Sequence, residues 1–397
     1  MDLYSTVLAM TNETLVASFV AGDSYPDVWI RDLNTFITMA SGANPQTDVR
    51  NALNGFFDRQ NATSGEVPDG YRPNPNATSP NEPPPLQWPS CTGDTPDACK
   101  NNVETDQESS LVSATRQYVD YFDDIGFLAE HITQLELALN FLANYRTTDT
   151  YNNLIWGGTT FDWGDCQAED EVQDCRILEP ASHRAIDVYD NAMYALALQD
   201  LIYLESLLNR DSSIYQLLHD DLRSDVRKYL WNDDTQKFTN HLYLEEQAFD
   251  PSFDEDLVYY HGGTTIAMLA GFLTNDEVAA SYQRMKDNVK LAGGEVTVGL
   301  TMYPPYPSDL TTKMMGEYTY QNGGDWAWFG GRTVSALAKL KFCDEAREAL
   351  QPMLERVVVN NGFYEWWGKD NTPNGSSTFH GSAGVLGLAI QDVNDNC

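Results

Sequence analysis

Two kinds of apolar segment alternate along the chain, and this alternation constrains the fold more than any other feature. Segments of the first kind place apolar residues three or four positions apart, which is typical of helices with one solvated face. Segments of the second kind are rich in Gly, Ala, Ser and Thr with few charges, which is typical of helices buried on all sides. The amphipathic segments are 3–20, 49–60, 124–145, 214–230, 277–291 and 344–358, and the small-residue segments are 28–42, 104–119, 185–204, 259–271, 323–340 and 378–390.

Because the two kinds alternate six times, the sequence predicts an all-α fold, an (α/α)6 toroid. Six inner helices would be surrounded by six outer helices, with long loops on one face. A helical solenoid is the alternative, but no repeat with a period of about 30–45 residues is visible. We therefore expect one catalytic barrel over 1–397, in which 64–100 is a long Pro-rich, disulfide-containing loop on the rim. Irregular loops of this length are usually functional or linkers.

The charge balance excludes several classes of partner. The chain has 24 Lys and Arg against 59 Asp and Glu, a net charge of −35. Such a surface repels phosphate backbones and anionic lipids, so neither nucleic acid nor a membrane is expected to bind. No apolar run approaches the roughly 18 residues of a membrane span. The six His residues have no paired spacing, so no metal and no cofactor are expected.

The cysteines and the glycosylation motifs indicate an oxidising, secretory environment. An even number of loop cysteines in the absence of a zinc-binding spacing favours disulfides. The predicted disulfides are Cys91–Cys99, Cys166–Cys175 and Cys343–Cys397, and the N-x-S/T motifs are at Asn12, Asn61, Asn76 and Asn374. The first residues lack the basic start and apolar stretch of a signal peptide. The protein is nevertheless predicted to be secreted, disulfide-bonded and glycosylated.

Tryptophans and acidic residues cluster in the loops that lead into the small-residue segments. These clusters are WIRD (29–32), VETDQE (103–108), TTFDWGD (159–165), NGGDWAW (322–328) and FYEWWGKD (363–370). In a toroid these loops open on one face, so the clusters would converge. Aromatic faces stack on the C–H faces of a pyranose, and fixed carboxylates bind its hydroxyls. The pattern therefore predicts a carbohydrate site.

Hydrolysis of a glycosidic bond needs two carboxyl groups, one protonated and one that activates water in an inverting enzyme. Asp162, between Phe161 and Trp163, has an aromatic setting that could raise the pKa of its carboxyl group. Glu365, which Trp366 follows, has a similar setting. Asp162 is thus the predicted general acid and Glu365 the predicted general base, with Asp165 and Asp325 as second choices. Solvation or helix capping is the alternative explanation for any single acidic residue in so acidic a chain.

These motifs resemble the six-hairpin glycosidases, especially the C-terminal domain of amylo-α-1,6-glucosidase (the glycogen-debranching enzyme) and glycoside hydrolase family 63. The aromatic-x-Arg-Asp motif of that family is matched by Trp29, Arg31 and Asp32. Its Thr-aromatic-x-Asp loop resembles TTFDWGD, and the helix after that loop resembles AIDVYDNAMYALAL. Its Tyr-His-Asn-Gly-x-x-Trp-x-Trp loop is similar to YQNGGDWAW, in which Gln321 replaces the His. Its Glu-aromatic-aromatic motif is similar to FYEWWG.

The resemblance implies the same roles for Asp162 and Glu365 and a sugar subsite around them. The residues that it implies for this subsite are Trp29, Arg31, Asp32, Asn322, Trp326 and Trp328. Further candidates for substrate binding are Asp106, Trp163, Asp165, Asp187, Asp325, Trp366 and His380. Asp187 stands where many relatives have Glu.

The predicted function is a secreted, exo-acting, inverting glycoside hydrolase that cleaves an α-linked glucoside or a related α-hexoside. Its only predicted partner is a carbohydrate substrate. Two alternatives are a non-catalytic carbohydrate-binding or extracellular structural protein and a polysaccharide lyase. A lyase needs a Tyr or His base and cations that neutralise a uronate, and the cations closest to the motifs are Arg31, Arg184 and Arg332.

Overall fold

The computed structural model of the chain describes residues 2–73, 98–168, 175–311 and 315–397. Twelve α-helices lie in these ranges, one for each predicted segment. Their bounds are α1 Leu3–Thr14, α2 Ile30–Ala43, α3 Gln46–Phe57, α4 Gln107–Phe122, α5 Ile125–Tyr145, α6 Val188–Leu207, α7 Ser213–Tyr229, α8 His261–Leu269, α9 Asn275–Ala292, α10 Ala327–Lys339, α11 Cys343–Asn360 and α12 His380–Asn396.

Helix α1 is shorter than its predicted segment. It ends at Thr14 because the side chain of Asn44 binds the next turn: its Nδ2 donates to Leu15 O at 2.7 Å, and its Oδ1 accepts from Ala17 N at 2.6 Å. Ala17 has a φ of 59°, a left-handed conformation that no α-helix continues through. A contact between distant segments therefore ends the helix where the local pattern would extend it.

The even-numbered helices form a closed ring, in which α2 packs on α4, α4 on α6, α6 on α8, α8 on α10, α10 on α12, and α12 on α2. The odd-numbered helices lie outside this ring. Helix α7 buries only Tyr215, His219, Leu222 and Val226, which are spaced as one helical face. By contrast, α4 buries an unbroken run from Gln107 to Thr115. The (α/α)6 toroid predicted from the alternation is confirmed.

Short antiparallel strands pair the loops that precede the inner helices. The described residues contain these strands, in chain order: β1 Val28–Trp29, β2 Gly70–Tyr71, β3 Ala98–Cys99, β4 Gly157–Gly158, β5 Arg184–Ile186, β6 Trp231–Asn232, β7 Lys237–Phe238, β8 Leu242–Tyr243, β9 Tyr259–Tyr260, β10 Met302–Tyr303, β11 Trp366–Trp367 and β12 Pro373–Asn374. The sheets are β1-β2-β3, β4-β5-β8, β6-β7, β9-β10 and β11-β12. Because β2 and β3 pair with each other, the two described ends of the long rim loop meet beside the entrance to α2.

Two of the predicted disulfides are confirmed. Cys166 pairs with Cys175 and Cys343 with Cys397, with Cα atoms 4.7 and 5.4 Å apart. The third predicted disulfide, Cys91–Cys99, lies outside the described residues, because they include neither Cys91 nor the side chain of Cys99. Among the predicted glycosylation sites, Asn12 and Asn61 are exposed, Asn374 is half-buried and Asn76 lies outside the described ranges.

None of the described helices combines the length and the apolar character that crossing a bilayer would require.

We expect Gly384→Ala to destabilise the ring strongly. A Cβ at Gly384 would overlap the Cα and Cβ atoms of Phe36 where α12 crosses α2, and backbone there cannot move independently of the helix. Overpacking of this kind costs about 1–3 kcal/mol in the free energy of unfolding, which urea denaturation measures.

Gly387→Ala is the matched control on the same helix. Its Cβ would lie 2.9 Å from Met39 Cε and 2.9 Å from Thr11 Cγ2, which are side-chain atoms and not backbone, so the cost should be smaller. Equal destabilisation by the two variants would contradict the assignment of the cost to the overlap with the Phe36 backbone.

Candidate active site

A cavity of about 300 Å³ opens above the N-terminal ends of the inner helices. Eight of the residues predicted from the sequence line it: Trp29, Arg31, Asp32, Trp163, Asp165, Trp326, Trp328 and Glu365. Eight lining residues were not predicted: Ala21, Tyr25, Asp69, Asn101, Glu104, Arg176, Tyr320 and Phe379. Of these, Glu104 belongs to the VETDQE cluster, so its motif was recognised although the residue was not. Tyr25 and Asp69 belong to no motif, and only the folding of their loops brings them here.

Arg31 connects three of the elements around the cavity. Its Nη1 donates to Glu104 Oε1 at 2.7 Å and its Nε to Asp106 Oδ2 at 2.8 Å, while its Nη2 donates to the carbonyl oxygen of Trp163. The Arg31 side chain is only 7% exposed. Two carboxylates and one carbonyl therefore use its donors, and Arg31 holds the loop of residues 159–168 and the loop before α4 against α2. We call the former loop the acid loop.

The floor of the cavity is a cluster of indole rings. Trp163 meets Trp326 and Trp328 edge-on, with both ring centroids 4.8 Å away. Trp326 Nε1 donates to Tyr320 O at 2.9 Å. The Nε1 atoms of Trp163 and Trp328 are buried and have no hydrogen-bond partner in the described part of the chain. The floor therefore combines flat apolar surface with two indole N–H groups that are closed off from solvent.

Glu365 lies just before β11 and is only 4% exposed. Its Oε2 accepts from the Tyr25 hydroxyl at 2.7 Å and from Ser376 N at 3.2 Å. Burial raises the pKa of the Glu365 carboxyl, and these two hydrogen bonds act in the opposite direction. Gly375, with a φ of 71°, lies against this carboxylate, and a Cβ there would collide with it. One oxygen is thus fixed, while Oε1 has no partner among the described side chains.

Asp165 lies in the acid loop and is half-buried at the cavity wall. Its Oδ1 accepts from Gln321 Nε2 at 2.6 Å, and its carbonyl oxygen accepts from Asn101 Nδ2 at 2.7 Å. Gln321 is fully buried, so its amide holds the Asp165 carboxyl in a fixed orientation. Asp165 and Glu365 are therefore two carboxyl groups that different loops bring to one cavity.

Asp162, the predicted acid, lies outside the cavity. It is 2% exposed, and its two oxygens accept from Gly263 N at 2.8 and 3.0 Å. These contacts put the carboxyl at the N-terminal end of α8, where a helix favours an acidic group. Burial raises the pKa of Asp162 to about 8, although the backbone bonds from Gly262 and Gly263 oppose the shift. Asp162 thus occupies a structural helix-capping position, and the structure does not bring it together with Glu365.

Three other candidates form internal contacts away from the cavity. Asp187 is the N-cap of α6 and accepts the N–H three residues further along at 2.8 Å. Asn322 binds both backbone groups of Tyr306, at 2.8 and 2.9 Å. Asp325 forms a buried ion pair with Arg356 at 2.9 Å. Each of these polar side chains bonds to backbone groups or pairs with a buried charge. The sequence pattern does not distinguish such a structural role from ligand binding.

The remaining candidates also lie elsewhere. Asp106 is fully buried against Arg31 and accepts from the Tyr189 hydroxyl at 2.8 Å. Trp366 lines a shallow depression beside the cavity. His380 lines a separate cavity of about 500 Å³, and burial lowers its pKa to about 4. Neither Trp366 nor His380 reaches the cavity that holds Glu365.

Carboxyl groups dominate the charge of the cavity. Burial raises the pKa of Asp32 to about 7, with a contribution from the charge of Glu365, and raises the pKa of Asp69 to about 8. The acidic lining residues are Asp32, Asp69, Glu104, Asp165 and Glu365, and the basic ones are Arg31 and Arg176. When these carboxyl groups are ionised, the cavity favours a neutral or cationic ligand over an anionic one. Within the described ranges, no group of His, Cys, Asp and Glu side chains is arranged to bind a metal ion.

Comparison with known proteins identifies the architecture. No protein-family model matches the sequence, and no curated protein sequence is significantly similar to it. Among solved structures, a family 63 mannosylglycerate hydrolase from Thermus thermophilus is similar, with a TM-score of 0.71 and 13% identity over 98% of this chain and 99% of that one. A rhamnosidase from Klebsiella oxytoca gives a TM-score of 0.61 with 13% identity, over 98% of this chain and 64% of that one. A family 78 rhamnosidase from a Bacillus species gives 0.60 with 12% identity, over 97% and 34%. At these identities the likeness concerns the fold, and the resemblance to six-hairpin glycosidases is confirmed at that level.

We expect Asp162→Ala to weaken the fold in a pH-dependent way. Near pH 4 the variant should lose about 1–3 kcal/mol of unfolding free energy, because Gly263 N–H is left buried without its acceptor. In the parent, Asp162 ionises in the unfolded chain above its ordinary pKa of 3.8, whereas in the folded chain it stays protonated up to about pH 8. The stability that Asp162 contributes to the parent therefore falls as the pH rises between these two values. The deficit of the variant should therefore shrink over that range.

Denaturant unfolding from pH 4 to pH 8 measures this difference. The control is Asp149→Ala, which removes an exposed aspartate and should leave the pH profile of the parent unchanged. Parallel profiles for the parent and Asp162→Ala would contradict a raised pKa at Asp162.

Proposed function

We propose that this chain is a glycoside hydrolase that removes one terminal α-linked glucose or related hexose and inverts its anomeric centre. The observation that supports this most directly is the meeting of Asp165 and Glu365 in one cavity with an indole floor. At about 300 Å³ the cavity is at the lower end of ligand pockets. That size suits a single sugar ring and its leaving oxygen, which corresponds to exo action.

The sugar would lie on the indole floor with its hydroxyls toward the polar wall. The faces of Trp163 and Trp328 offer apolar contact to ring C–H groups. Asp32 and Asp69 would accept from sugar hydroxyls. Buried polar groups that lack a partner in the empty cavity gain one when the ligand enters, so the cost of burying them falls.

Glu365 would act as the general base. Tyr25 and Ser376 engage Oε2, so Oε1 is left to accept a proton from a water molecule next to the anomeric carbon. The donated hydrogen bonds favour the ionised carboxylate, which is the form that a base requires.

Asp165, rather than Asp162, would act as the general acid. Because Gln321 donates to Oδ1, the proton of Asp165 would be carried on Oδ2. This proton passes to the glycosidic oxygen while its bond to the anomeric carbon breaks. Water attacks that carbon from the opposite side and loses its proton to Glu365. The products are an alcohol and a hexose of inverted configuration.

Lyase chemistry is the weaker alternative. Elimination next to a uronate requires cations that neutralise its carboxylate. Of the two lining cations, Arg31 is already bound to Glu104 and Asp106, and Arg176 is outnumbered by the lining carboxyl groups. The other lining carboxyl groups would repel a uronate. A neutral hexoside fits the charge of the cavity better.

The proposed enzyme is secreted and glycosylated, and the whole barrel forms its catalytic domain. The disulfides Cys166–Cys175 and Cys343–Cys397 support an oxidising environment. The exposure of Asn12 and Asn61 makes these two sites accessible to glycosylation.

Asp165→Asn and Glu365→Gln should each lower kcat by about 10²–10⁴-fold, since each removes one proton-transfer group. The assay is hydrolysis of α-glucosyl, α-mannosyl and α-rhamnosyl oligosaccharides, with the first-formed anomer identified by NMR. Asp162→Asn is the matched control, three residues from Asp165, and should keep kcat within about tenfold of the parent.

Several results would contradict the proposal. Full activity of Asp165→Asn would exclude Asp165 as the general acid. Loss of activity only in Asp162→Asn would favour Asp162, the acid predicted from the sequence. Retention of the anomeric configuration would exclude direct attack on the anomeric carbon by a water molecule that Glu365 activates. Sugar binding without turnover by the parent would favour a carbohydrate-binding protein.

Tyr25→Phe should shift the acidic limb of the kcat/KM profile to higher pH by about one unit. The Tyr25 hydroxyl bonds to Glu365 and lowers the pKa of that carboxyl, so its removal raises the pKa. A hydrogen bond to a charged group is worth about 1.5–3 kcal/mol, and one pKa unit corresponds to about 1.4. The profile is measured from pH 3 to pH 9, with Tyr145→Phe on the exposed face of α5 as control. An unmoved acidic limb would mean that Glu365 is not the base.

A further inference from the structure

We propose that the depression beside the cavity is a second sugar-binding subsite, which receives the leaving-group side of a longer substrate. This inference rests on the proposed hydrolase function and extends it from a single hexoside to an oligosaccharide. The depression has a volume of about 660 Å³ and is lined by Tyr318, Trp366, Lys369, Asp370, Thr372 and Asn374, among others.

The depression adjoins the catalytic cavity through two aromatic rings. Tyr320 lines the cavity, Trp366 lines the depression, and the two rings meet edge-on with centroids 6.3 Å apart. Consecutive residues serve the two sites: Glu365 lies at the cavity and Trp366 at the depression. A glycan whose terminal ring lies beside Glu365 would therefore pass Tyr320 and reach Trp366.

The surface of the depression has the chemistry of a sugar platform. Trp366 is half-buried, so part of its ring remains exposed to a ligand. Tyr318 stands next to it, with the Lys369 amine 4.4 Å from its ring centroid. Asp370 and Thr372 are exposed and add polar groups at the edge. An aromatic face with a polar edge matches a pyranose, which has an apolar C–H face and hydroxyls at its rim.

The backbone of this region is held in an unfavourable conformation. Tyr318 has a φ of 59°, a left-handed conformation that is costly for a bulky residue. Such strain persists only where the surroundings impose it. Here it holds the Tyr318 ring under Lys369 at the wall of the depression.

Asn374, one of the predicted glycosylation sites, lines the same depression, and its Nδ2 donates to Thr372 O at 2.9 Å. A glycan on Asn374 would compete with a substrate for this surface. The experiment therefore uses protein from a host that does not glycosylate it, and Asn374→Gln from a glycosylating host as a second preparation.

The test compares a substrate that reaches the depression with one that cannot. The long substrate is a heptasaccharide of the hexose that the parent hydrolyses, and the short one is the matching α-hexosyl fluoride, which has a single-atom leaving group. Trp366→Ala should lower kcat/KM for the heptasaccharide by about tenfold and leave that for the fluoride within about twofold. Tyr145→Ala, at an exposed ring on α5, is the matched control and should change neither.

Two outcomes would overturn the subsite. An equal loss on both substrates would mean that Trp366 acts by supporting Glu365, and no loss on either would mean that no sugar contacts it. Should the parent hydrolyse nothing, the proposed function fails separately, and calorimetric titration with maltose and maltoheptaose tests the subsite by itself. Tighter binding of maltoheptaose that Trp366→Ala abolishes would support it, and equal binding of the two sugars by the parent would overturn it.

Discussion

The buried guanidinium of Arg31 is the interaction on which the rest of the site depends. It holds Glu104, Asp106 and the carbonyl oxygen of Trp163, so one side chain of α2 fixes two loops that are distant in sequence. Removing one partner of such a buried network costs about 3–5 kcal/mol, because the remaining charges stay buried without compensation. The positions of Trp163 and Asp165 follow from where Arg31 holds the acid loop.

Two carboxyl groups in the acid loop, three residues apart, have different environments. Asp162 lies beneath the floor, where both of its oxygens accept the N–H of Gly263. Asp165 is half-buried at the cavity wall, where Gln321 donates to one of its oxygens. A general acid must reach the oxygen that it protonates. Asp162 and Asp165 therefore differ first in position, since only Asp165 lines the cavity. The raised pKa of Asp162 has burial as its largest cause, and structural burial perturbs the pKa of a carboxyl group just as a catalytic environment does.

The same division between structural and accessible groups recurs around the ring. Small residues on the inner helices let backbones approach closely, as Gly384 does against Phe36. Polar residues at the entrances of these helices then satisfy backbone groups, as Asp187 does at α6. The residues that line the cavity, among them Glu365, are those that the loops direct toward it. A toroid therefore uses many carboxyl groups to build the ends of its helices and few to bind a ligand.

The sequence by itself determined the toroid, because alternating amphipathic and small-residue segments report burial, which is a local property of each helix. It also determined which loops carry the aromatic and acidic residues of the site, including Glu365. Only the tertiary structure decided which acid of the acid loop reaches the cavity, and only it brought Tyr25 and Asp69 there from segments without a motif. The physical reason is that access to a cavity depends on backbone direction and on contacts between distant segments. A short run of residues such as TTFDWGD contains the acids, but it does not specify which of them the neighbouring helix will bind.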